Sequence, residues 1–471
     1  MHRHALRTAL AAVLMGWGVA LAAPSAELGE ALATAGADAD HAGQARLRGT
    51  GPVRDALRLP ALDFDEEMAA KAARAAALRD GQPLQIGIAR DTGKDLLGAG
   101  DLAWQRQSDG AHVARLRVGS AGAVALRSGI LLASPANLSR PGKGEDAWRE
   151  YAAQLEGLTL RFAGNDGLAY AMHGHELVAD ELNWSPVTGG DAMLIEVELA
   201  ANLDPARLAL RIPQLSHLDI HPAASEAAIA SKIGESDSCE RDIACRANPT
   251  GGFQNAEKAV ARMVFTKGGS SYLCTGTLLN NANSPRRHLF WSANHCIASQ
   301  TVANTLQTYW FYKATTCNGS TVNPGARTLS GGAYLRHNNS QRDTLLLELK
   351  TAPPAGAVYA SWTSAAIGAT STAIEGIHHP AGDVKMYSLG RVTQLSGTID
   401  GKGPFYRVQW STGVTEGGSS GSALYTINSS GTYQLRGGLY GGTSYCSAPT
   451  APDYYSRLAD VWSSVQPYLS P

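Results

Sequence analysis

The chain has 471 residues, more than one ordinary domain holds, so two or three structural units are expected. Its hydrophobic content of 44% allows sizeable cores, and a formal net charge of −1 excludes the strongly basic footprint of a nucleic-acid-binding protein. The charges are uneven: 22 basic and 28 acidic residues precede Ile233, and 18 and 13 follow. The two halves could attract each other, although chance composition explains the same counts.

The first residues have the pattern of a signal peptide. A basic start, MHRHALR, precedes an apolar stretch from Ala9 to Ala20, and Ala20-Leu21-Ala22 offers small residues for cleavage near Ala22 or Ala23. The stretch is too short to span a bilayer comfortably, and no later run of ~20 apolar residues exists. We therefore predict that residues 1–22 are a signal peptide and that the protein is secreted, with no membrane attachment.

Residues 23–232 have the composition of a separate, β-rich unit. Asp63 to Arg79 predicts a helix, because acidic residues fill its first turns and basic residues its later ones. From about residue 84 to 200, short alternating runs such as LQIGIAR and AMLIEVEL predict strands joined by turns. Residues 200–232 lack a strong periodicity, so they are interpreted as a linker that ends at Lys232.

Residues 233–471 predict an all-β unit with many Gly, Ser, Thr and Asn turns. The exception is the stretch from Leu458 to Leu469, where Val461, Trp462 and Val465 continue a helical spacing of apolar side chains. The chain is therefore expected to end in one amphipathic helix.

The cysteines all lie in this second unit, and their even number in an exported chain indicates three disulfides. They are Cys239, Cys245, Cys274, Cys296, Cys317 and Cys446. The residues alone leave 15 possible pairings open. A metal site is a weak alternative, because there is no C-x-x-C pair and His173-Gly174-His175 lacks a third ligand nearby. No metal and no cofactor is therefore expected.

Three segments carry the residue types that peptide hydrolysis by a serine requires: a hydroxyl nucleophile, an imidazole base and a carboxylate that orients the imidazole. His295 ends the run WSANHC, Asp343 opens the apolar strand DTLLLEL, and Ser420 lies in the loop GGSSGSA. Small residues let that loop turn tightly, so that the backbone N–H groups of Gly418 and Ser420 can meet an oxyanion.

Each of these residues has an ordinary interpretation when it is taken alone. An aspartate is usually a cap or a solvated charge, a buried histidine is usually structural, and a serine between glycines is usually a turn. The joint match of three roles in this order reverses that balance. Ser419 is the rival nucleophile, but the G-x-S-G pattern places the nucleophile directly before Gly421, which favours Ser420.

With these segments the chain resembles the chymotrypsin-like serine proteases, and within them the secreted bacterial lysyl endopeptidases. The matching stretches over Ile233–Pro471 are CTGTLLNN, SANHC, DTLLLEL, IHHP, VQWSTGVTEGGSSGSALY and LYGG. The resemblance implies an all-β catalytic unit of two six-stranded barrels with a C-terminal helix, preceded by a β-rich pro-region. It also implies the disulfide pairs Cys239–Cys446, Cys245–Cys317 and Cys274–Cys296.

The resemblance also assigns a specificity pocket. Trypsin's acid would stand at Val414, so trypsin's way of binding a cation is absent. Asp453 matches the aspartate at the base of the lysyl endopeptidase pocket, where a carboxylate can pair with an ammonium. The alternative is that Asp453 merely caps a turn. Tyr440, Gly441 and Gly442 resemble the edge strand that pairs with the substrate backbone, although Tyr440 replaces the family's usual His.

These features predict a secreted serine endopeptidase that cuts after Lys and is made as a pro-enzyme. Cleavage after Lys232 would fit self-processing, with the preceding residues acting as an inhibitory, folding-assisting pro-region. The expected partners are protein or peptide substrates and the chain's own pro-region, with no nucleic acid or membrane, and the mature enzyme is expected to be a monomer. The alternatives are a broader Lys/Arg or other specificity, or an inactive homologue that binds peptides.

Overall fold

The structure is a computed structural model that describes residues 26–29, 45–79, 83–93, 102–133, 155–222 and 236–470. The predicted signal peptide and the predicted processing site at Lys232 lie outside these residues. Within the described part of the chain, no helix is long and apolar enough to cross a membrane.

The first unit consists of β-strands and one long helix. The helix, α1, spans Phe64–Arg79 and confirms the prediction; Asp63 and Glu66 each accept a hydrogen bond from the other's backbone N–H, which closes its N-terminus. The strands are β1 (Glu27–Leu28), β2 (Arg54–Leu59), β3 (Leu84–Asp91), β4 (Gln105–Arg106), β5 (His112–Ser120), β6 (Ala125–Leu132), β7 (Leu158–Ala163), β8 (Ala169–His173), β9 (Leu182–Trp184), β10 (Thr188–Gly189), β11 (Ala192–Leu199) and β12 (Leu210–Leu218).

Two sheets pack face to face in this unit. One has the strand order β2-β5-β11-β7-β8, and the other contains β10, β6, β12 and β3. Alternate side chains from both sheets, such as Leu116, Ile130, Leu160 and Ile195, fill a common core. Short interruptions by 3₁₀-turns occur at Gly174–Glu176 and Pro205–Arg207.

The prediction that residues 200–232 form a linker is wrong for their first part. Leu210–Leu218 is strand β12, which lies between β6 and β3 and is buried at Leu210, Leu215 and Leu218. Pro213 and a register shift between Arg211 and Gln214 interrupt the alternation, which explains why the periodicity was weak.

The second unit contains fourteen of the described strands and three helices. The strands are β13 (Val260–Lys267), β14 (Ser270–Leu278), β15 (Leu289–Ser292), β16 (Gln307–Trp310), β17 (Arg327–Leu329), β18 (Ala333–Asn339), β19 (Thr344–Leu349), β20 (Ser361–Thr363), β21 (Ala373–His378), β22 (Met386–Ile399), β23 (Lys402–Thr412), β24 (Ala423–Ile427), β25 (Tyr433–Gly442) and β26 (Asp453–Tyr455). The helices are α2 (Gly251–Ala259), α3 (Gln300–Ala303) and α4 (Leu458–Leu469). Two 3₁₀-turns lie at Ile243–Cys245 and Pro380–Gly382.

These strands form the expected double barrel. Strands β21, β22, β23, β26, β25 and β24 close into a ring of six, the second barrel. The first barrel runs β17-β16-β13-β14-β15-β19-β18, which is seven strands rather than six because the short β17 adds to β16. The predicted C-terminal helix is confirmed: α4 buries Leu458, Val461, Val465 and Leu469 against the second unit.

The two units share one continuous sheet. Strand β3 of the first unit pairs on one side with β12 and on the other with β14 of the first barrel, both antiparallel. Strand β1 adds separately to β20, which in turn pairs with β25 of the second barrel. The first unit therefore contacts both barrels through backbone pairing.

Candidate active site

His295 and Asp343 form a close pair in the first barrel. His295 follows β15, and Asp343 opens β19, the strand that pairs with β15. The Asp343 carboxylate accepts a hydrogen bond from the His295 backbone N–H at 2.8 Å through Oδ1, and its Oδ2 lies 2.7 Å from His295 Nδ1. Because Asp343 is completely buried, its two oxygens fix both the backbone and the ring of one residue.

The other ring nitrogen of His295, Nε2, remains available for a further hydrogen bond. His295 Nε2 is buried and has no hydrogen-bond partner among the described residues. The Ser420 hydroxyl therefore makes no hydrogen bond to it in this structure. With Nδ1 donating to Asp343, Nε2 is the ring atom that can accept a proton. Such a contact commonly closes only when substrate is bound.

The loop that carries Ser420 is tied to strand β14 of the other barrel. The Thr275 backbone N–H donates to the Ser420 carbonyl at 2.8 Å, and the Thr275 hydroxyl donates to the Gly418 carbonyl at 2.9 Å. Thr275 follows Cys274, whose disulfide partner Cys296 is next to His295. The Ser420 loop and His295 are therefore held by adjacent residues of one strand.

The same loop presents backbone N–H groups without acceptors. The Gly417 carbonyl accepts from the Ala381 N–H at 2.7 Å, so the trans peptide directs the Gly418 N–H to the opposite side. Gly418 has a φ of +96°, and a Cβ there would lie 2.8 Å from the His379 carbonyl oxygen, so glycine is required. Within the described residues, the N–H groups of Gly418 and Ser420 bond to nothing, which leaves both available for an oxyanion.

Ser419 has a different environment from Ser420. Its side-chain oxygen lies 2.9 Å from His378 Nδ1 and accepts a 3.3 Å hydrogen bond from the Glu416 N–H. Burial lowers the pKa of His378 to about 3, so this imidazole is neutral, and its Nε2 lies 2.8 Å from the Ser388 hydroxyl. Ser419 is thus part of a buried polar chain behind the loop.

Tyr440 packs on the ring of His295. Its ring meets the His295 ring edge to face, with centroids 5.7 Å apart, and stacks on Phe405 at 5.2 Å. Its hydroxyl donates to Asp400 Oδ2 at 2.8 Å, and the Lys402 ammonium lies 5.2 Å from the ring centroid. Burial raises the pKa of Tyr440, as do its contacts with Asp400, so it stays protonated. Sequence reasoning missed the contributions of Asp400, Lys402 and Phe405, which follow one another along the β22–β23 hairpin.

Asp453 lies buried at the start of β26. Its Oδ2 accepts hydrogen bonds from Trp410 Nε1 at 2.6 Å and from the Thr415 and Ser444 hydroxyls, both at 2.7 Å. Its Oδ1 accepts only a longer bond, 3.3 Å, from the Ser444 N–H. Burial raises the pKa of Asp453, although these four donors oppose the rise. The three donor residues were not identified from the sequence: Trp410 and Thr415 lie in the matching stretch VQWSTGVTEGGSSGSALY, but the residues alone do not show which side chains meet Asp453.

Gly441 and Gly442, at the end of β25, lie next to the Asp453 carboxylate. Gly442 pairs with Asp453 across β25 and β26, and a Cβ at Gly442 would lie 2.3 Å from Asp453 Oδ1. Gly441 has a φ of +148°, which disfavours a side chain there as well. Val414, which stands where trypsin's acid would be, is fully buried in the apolar core of the second barrel. A side chain at Gly442 would therefore collide with Asp453 Oδ1 and with the Pro452 carbonyl oxygen, both 2.3 Å from the added Cβ.

The cysteines are paired as the resemblance implied. The disulfides join Cys239 to Cys446, Cys245 to Cys317 and Cys274 to Cys296. The first ties the segment that follows Ser236 to the loop between β25 and β26, and so to the neighbourhood of Asp453.

Comparison with known proteins places both units in one family. The family model for the lysyl endopeptidase C-terminal domain matches residues 233–456, and that for the lysyl endopeptidase N-terminal domain matches residues 58–219. The lysyl endopeptidase of Pseudomonas aeruginosa is 42% identical over 470 residues, covering 98% of this chain and 97% of that protein.

Solved structures of more distant proteases also match. The HtrA-type protease AlgW is 15% identical with a TM-score of 0.31, covering 45% of this chain and 61% of that one. The Rv3671c protease of M. tuberculosis is 16% identical with a TM-score of 0.30, covering 48% and 88%. On the strength of the full-length relative and the two matched domains, the chain belongs to the lysyl endopeptidase family and is a serine endopeptidase.

Proposed function

We propose that the protein is an exported pro-enzyme whose mature unit hydrolyses peptide bonds on the carboxyl side of lysine. The observation that carries the proposal is the pairing of His295 with a fully buried Asp343, beside the strand β14 that also holds the Ser420 loop. Export rests on the signal-peptide pattern of residues 1–22 and on three disulfides in the mature unit.

The proposed mechanism follows from these groups. Ser420 Oγ attacks the substrate carbonyl carbon while His295 Nε2 takes its proton, and Asp343 stabilises the resulting imidazolium. The N–H groups of Gly418 and Ser420 bind the oxygen that becomes negative. His295 then returns the proton to the departing amine, and water attacks the acyl-enzyme by the same route in reverse.

Preference for lysine follows from the unequal use of the two Asp453 oxygens. Oδ2 already accepts three short hydrogen bonds, so Oδ1 is the oxygen that remains for a substrate cation. An ammonium donates to single oxygens in any direction and can also reach the Thr415 and Ser444 hydroxyl oxygens. A guanidinium needs two parallel acceptors for its planar fork, and here only one is free.

Matched peptide substrates ending in Lys, Arg or Phe test the assignment, with processed protein and the variants Ser420→Ala and Asp453→Asn. We expect turnover at Lys only, none with Ser420→Ala, and a large loss with Asp453→Asn because the pocket would lose its charge. Turnover of Phe, or indifference to Asp453→Asn, would leave a protease of other specificity. Labelling by a fluorophosphonate separates an enzyme from an inactive peptide-binding homologue.

Self-processing after Lys232 is tested by N-terminal sequencing of the mature protein. A start at Ile233 is expected, and Lys232→Gln should slow its appearance. Cys239 lies seven residues beyond Lys232, and its bond to Cys446 would hold the new terminus near the second barrel. A start far from Ile233 would remove the basis for this step.

A further inference from the structure

A buried histidine, His378, joins the Ser419 side chain to the interior of the second barrel. It ends strand β21 and is completely buried, and its Nδ1 lies 2.9 Å from Ser419 Oγ. On the other side of the ring, Nε2 lies 2.8 Å from Ser388 Oγ, and the Ser388 hydroxyl lies 2.7 Å from the Val414 carbonyl oxygen. These four residues form a continuous line of polar contacts behind the loop that carries Ser420.

The direction of each hydrogen bond in this line follows from its last member. A carbonyl oxygen has no hydrogen to donate, so the Ser388 hydroxyl donates to the Val414 carbonyl. Ser388 has then used its only hydrogen, and its oxygen can only accept from His378 Nε2–H. Because a neutral imidazole carries one N–H, Nδ1 is the acceptor and the Ser419 hydroxyl is its donor.

These bonds hold without any charge on the histidine. Burial lowers the pKa of His378 to about 3, so the ring is neutral at ordinary pH. One carboxyl group of the described residues lies within 4.0 Å of the ring, that of Glu240. Burial raises the pKa of Glu240 well above its usual value, as do the charges of Glu416, Asp453 and Asp237. An exposed glutamate would therefore ionise at a much lower pH than Glu240.

Ser419 lies between Gly418 and Ser420, whose N–H groups are free to meet an oxyanion. Its own N–H donates to the Glu416 carbonyl at 2.9 Å, and its carbonyl accepts from the Ser422 N–H at 3.0 Å. The Ser420 N–H belongs to the planar peptide unit that begins with the Ser419 carbonyl, so its direction follows the position of Ser419. A side-chain bond that fixes Ser419 therefore also fixes an oxyanion donor.

The far end of the line lies beside the residues that hold Asp453. Val414 is followed by Thr415, whose hydroxyl donates to Asp453 Oδ2 at 2.7 Å. His378 and Ser388 come from β21 and β22, two strands that pair with each other. One hairpin of the second barrel thus supports both the oxyanion loop and the segment next to the proposed pocket.

We propose that His378 is a positioning residue, which in its Nε2–H tautomer accepts a hydrogen bond from Ser419 and so keeps the Ser420 N–H aimed at the oxyanion. The inference rests on the proposed function, because it concerns the same site. His378 does not touch the substrate and acts only through Ser419. Its loss would weaken stabilisation of the transition state more than binding of the substrate.

The tautomer is tested without any catalysis. Long-range proton–nitrogen NMR of the full Ser420→Ala chain with isotope-labelled histidine distinguishes a protonated Nε2 from a protonated Nδ1, and His378→Gln identifies the signal by removing it. We expect the Nε2–H pattern from about pH 5 to about pH 9, and a shifted Nδ1 signal in Ser419→Ala, which loses the donor. A protonated Nδ1, an imidazolium or an unchanged Nδ1 signal would overturn the proposal.

Two replacements of His378 test the positioning role in processed protein. Glutamine offers one donor and one acceptor, as the neutral imidazole does, whereas leucine offers neither. We expect His378→Leu to lower kcat by about tenfold to a hundredfold, because a displaced N–H stabilises the oxyanion less, with KM within about threefold of the parent. His378→Gln should recover most of kcat. Equal losses in the two variants, or an unchanged kcat in His378→Leu, would overturn the role.

His288→Leu is the matched control, because His288 is a half-buried histidine of the second unit whose Nδ1 lies 2.8 Å from the Tyr359 hydroxyl. Its kcat should equal that of the parent where both proteins are folded. If His288→Leu lowers kcat as much as His378→Leu, general destabilisation explains both and the positioning role is overturned. Should His378→Leu fail to fold, Ser419→Ala removes the same bond with a smaller change, and an unchanged kcat there would also overturn it.

Failure of this inference is distinguishable from failure of the proposed function. If the parent cleaves none of the matched peptides, the proposed function is overturned and this inference with it. If the parent cleaves them but His378 has the other tautomer, or His378→Leu keeps the parent's kcat, only this inference is overturned. Cleavage after a residue other than lysine leaves the comparison of variants intact, because it is then made with that substrate.

Discussion

At the scale of single residues, the placement of the Asp453 carboxylate depends on the absence of a side chain at Gly442. Substitution Gly442→Ala would place a methyl group 2.3 Å from Asp453 Oδ1, the oxygen proposed to receive the substrate ammonium. We expect kcat/KM for a lysyl peptide to fall at least about a hundredfold, as displaced contacts in a binding site allow.

Gly368→Ala is the matched control for this prediction, because an added Cβ there meets nothing within 4 Å and the backbone is unstrained. Fluorophosphonate labelling of Ser420 should persist in both variants. Equal lysyl turnover in Gly442→Ala and Gly368→Ala would contradict the placement of the pocket beside Oδ1.

Glu416, four residues before Ser420, makes the free energy of unfolding depend on pH. Burial raises the pKa of Glu416 to about 7, aided by the nearby charges of Asp237 and Asp383 and opposed by a hydrogen bond from the Asp237 N–H. Between the ordinary glutamate pKa and about 7 the folded state holds a proton that the unfolded state has lost, so stability falls as pH rises through this window. Above it, the ionised carboxylate destabilises the fold.

Glu416→Gln should remove this loss of stability. From about pH 4 to about pH 8, the free energy of unfolding of the variant should rise relative to the parent by up to roughly 3 kcal/mol, measured by urea denaturation of the Ser420→Ala precursor. Exposed Glu181, changed to Gln in the same background, controls for the loss of a carboxylate. Parallel stability curves for Glu416→Gln and the parent would show that Glu416 titrates normally.

At the scale of elements, the disulfide between Cys274 and Cys296 joins the strand that holds the Ser420 loop to the residue next to His295. Replacing both cysteines with serine should lower the free energy of unfolding by about 3 kcal/mol, because the bond closes a loop of 22 residues. It should also lower kcat, since His295 and Thr275 would no longer be fixed to each other.

Removing Cys245 and Cys317 together provides the comparison. That bond closes a loop of 72 residues, Cys317 is exposed, and neither cysteine is a chain neighbour of His295 or Thr275. We expect a similar or larger cost in stability but an unchanged kcat at a temperature where both variants are folded. If kcat falls equally in the two double variants, the Cys274–Cys296 bond has no special role in positioning His295.

Features that depend on neighbouring residues in the chain were predictable from the sequence, and features that depend on distant strands were not. The His295, Asp343 and Ser420 segments are recognisable because each role needs a particular residue in a particular local context, and helices α1 and α4 have regular periodicity. The donors to Asp453 come from β23, from the Ser420 loop and from the loop after β25, so only the closed barrel brings Trp410, Thr415 and Ser444 together. Strand β12 was missed because Pro213 and a bulge hide its alternation.

At the scale of the whole molecule, the two units form one sheet whose two halves come from opposite sides of the proposed processing site. Strands β12 and β3 precede Lys232, and β14 and β13 follow it. No local sequence pattern predicts such a pairing, because any exposed edge strand can form backbone hydrogen bonds with another strand of suitable register. The long-range register of β3 on β14 was therefore not predictable from the residues.

This continuous sheet leads to the last prediction, that cleavage after Lys232 leaves the two pieces associated. All three disulfides lie within the second unit, so only non-covalent contacts join the pieces once the chain is cut. The β3–β14 and β1–β20 pairings are untouched by the cut. So are the hydrogen bonds that the buried Arg127 of β6 donates to the Thr266 hydroxyl and the Thr305 carbonyl, both at 2.8 Å. We expect a Ser420→Ala precursor, cleaved by a trace of active enzyme, to elute from gel filtration as one species that separates into two bands on a denaturing gel.

Other lysines of the pro-region would complicate this experiment. Changing Lys71, Lys94 and Lys143 to Arg leaves Lys232 as the one lysine before Ile233. With that background, the double variant Leu28→Pro, Arg127→Met should release the pro-region on cleavage, whereas the background itself should retain it. Separate elution of the two pieces in the background would contradict the prediction, because it would mean that the peptide bond after Lys232, rather than the shared sheet, holds the pro-region to the protease.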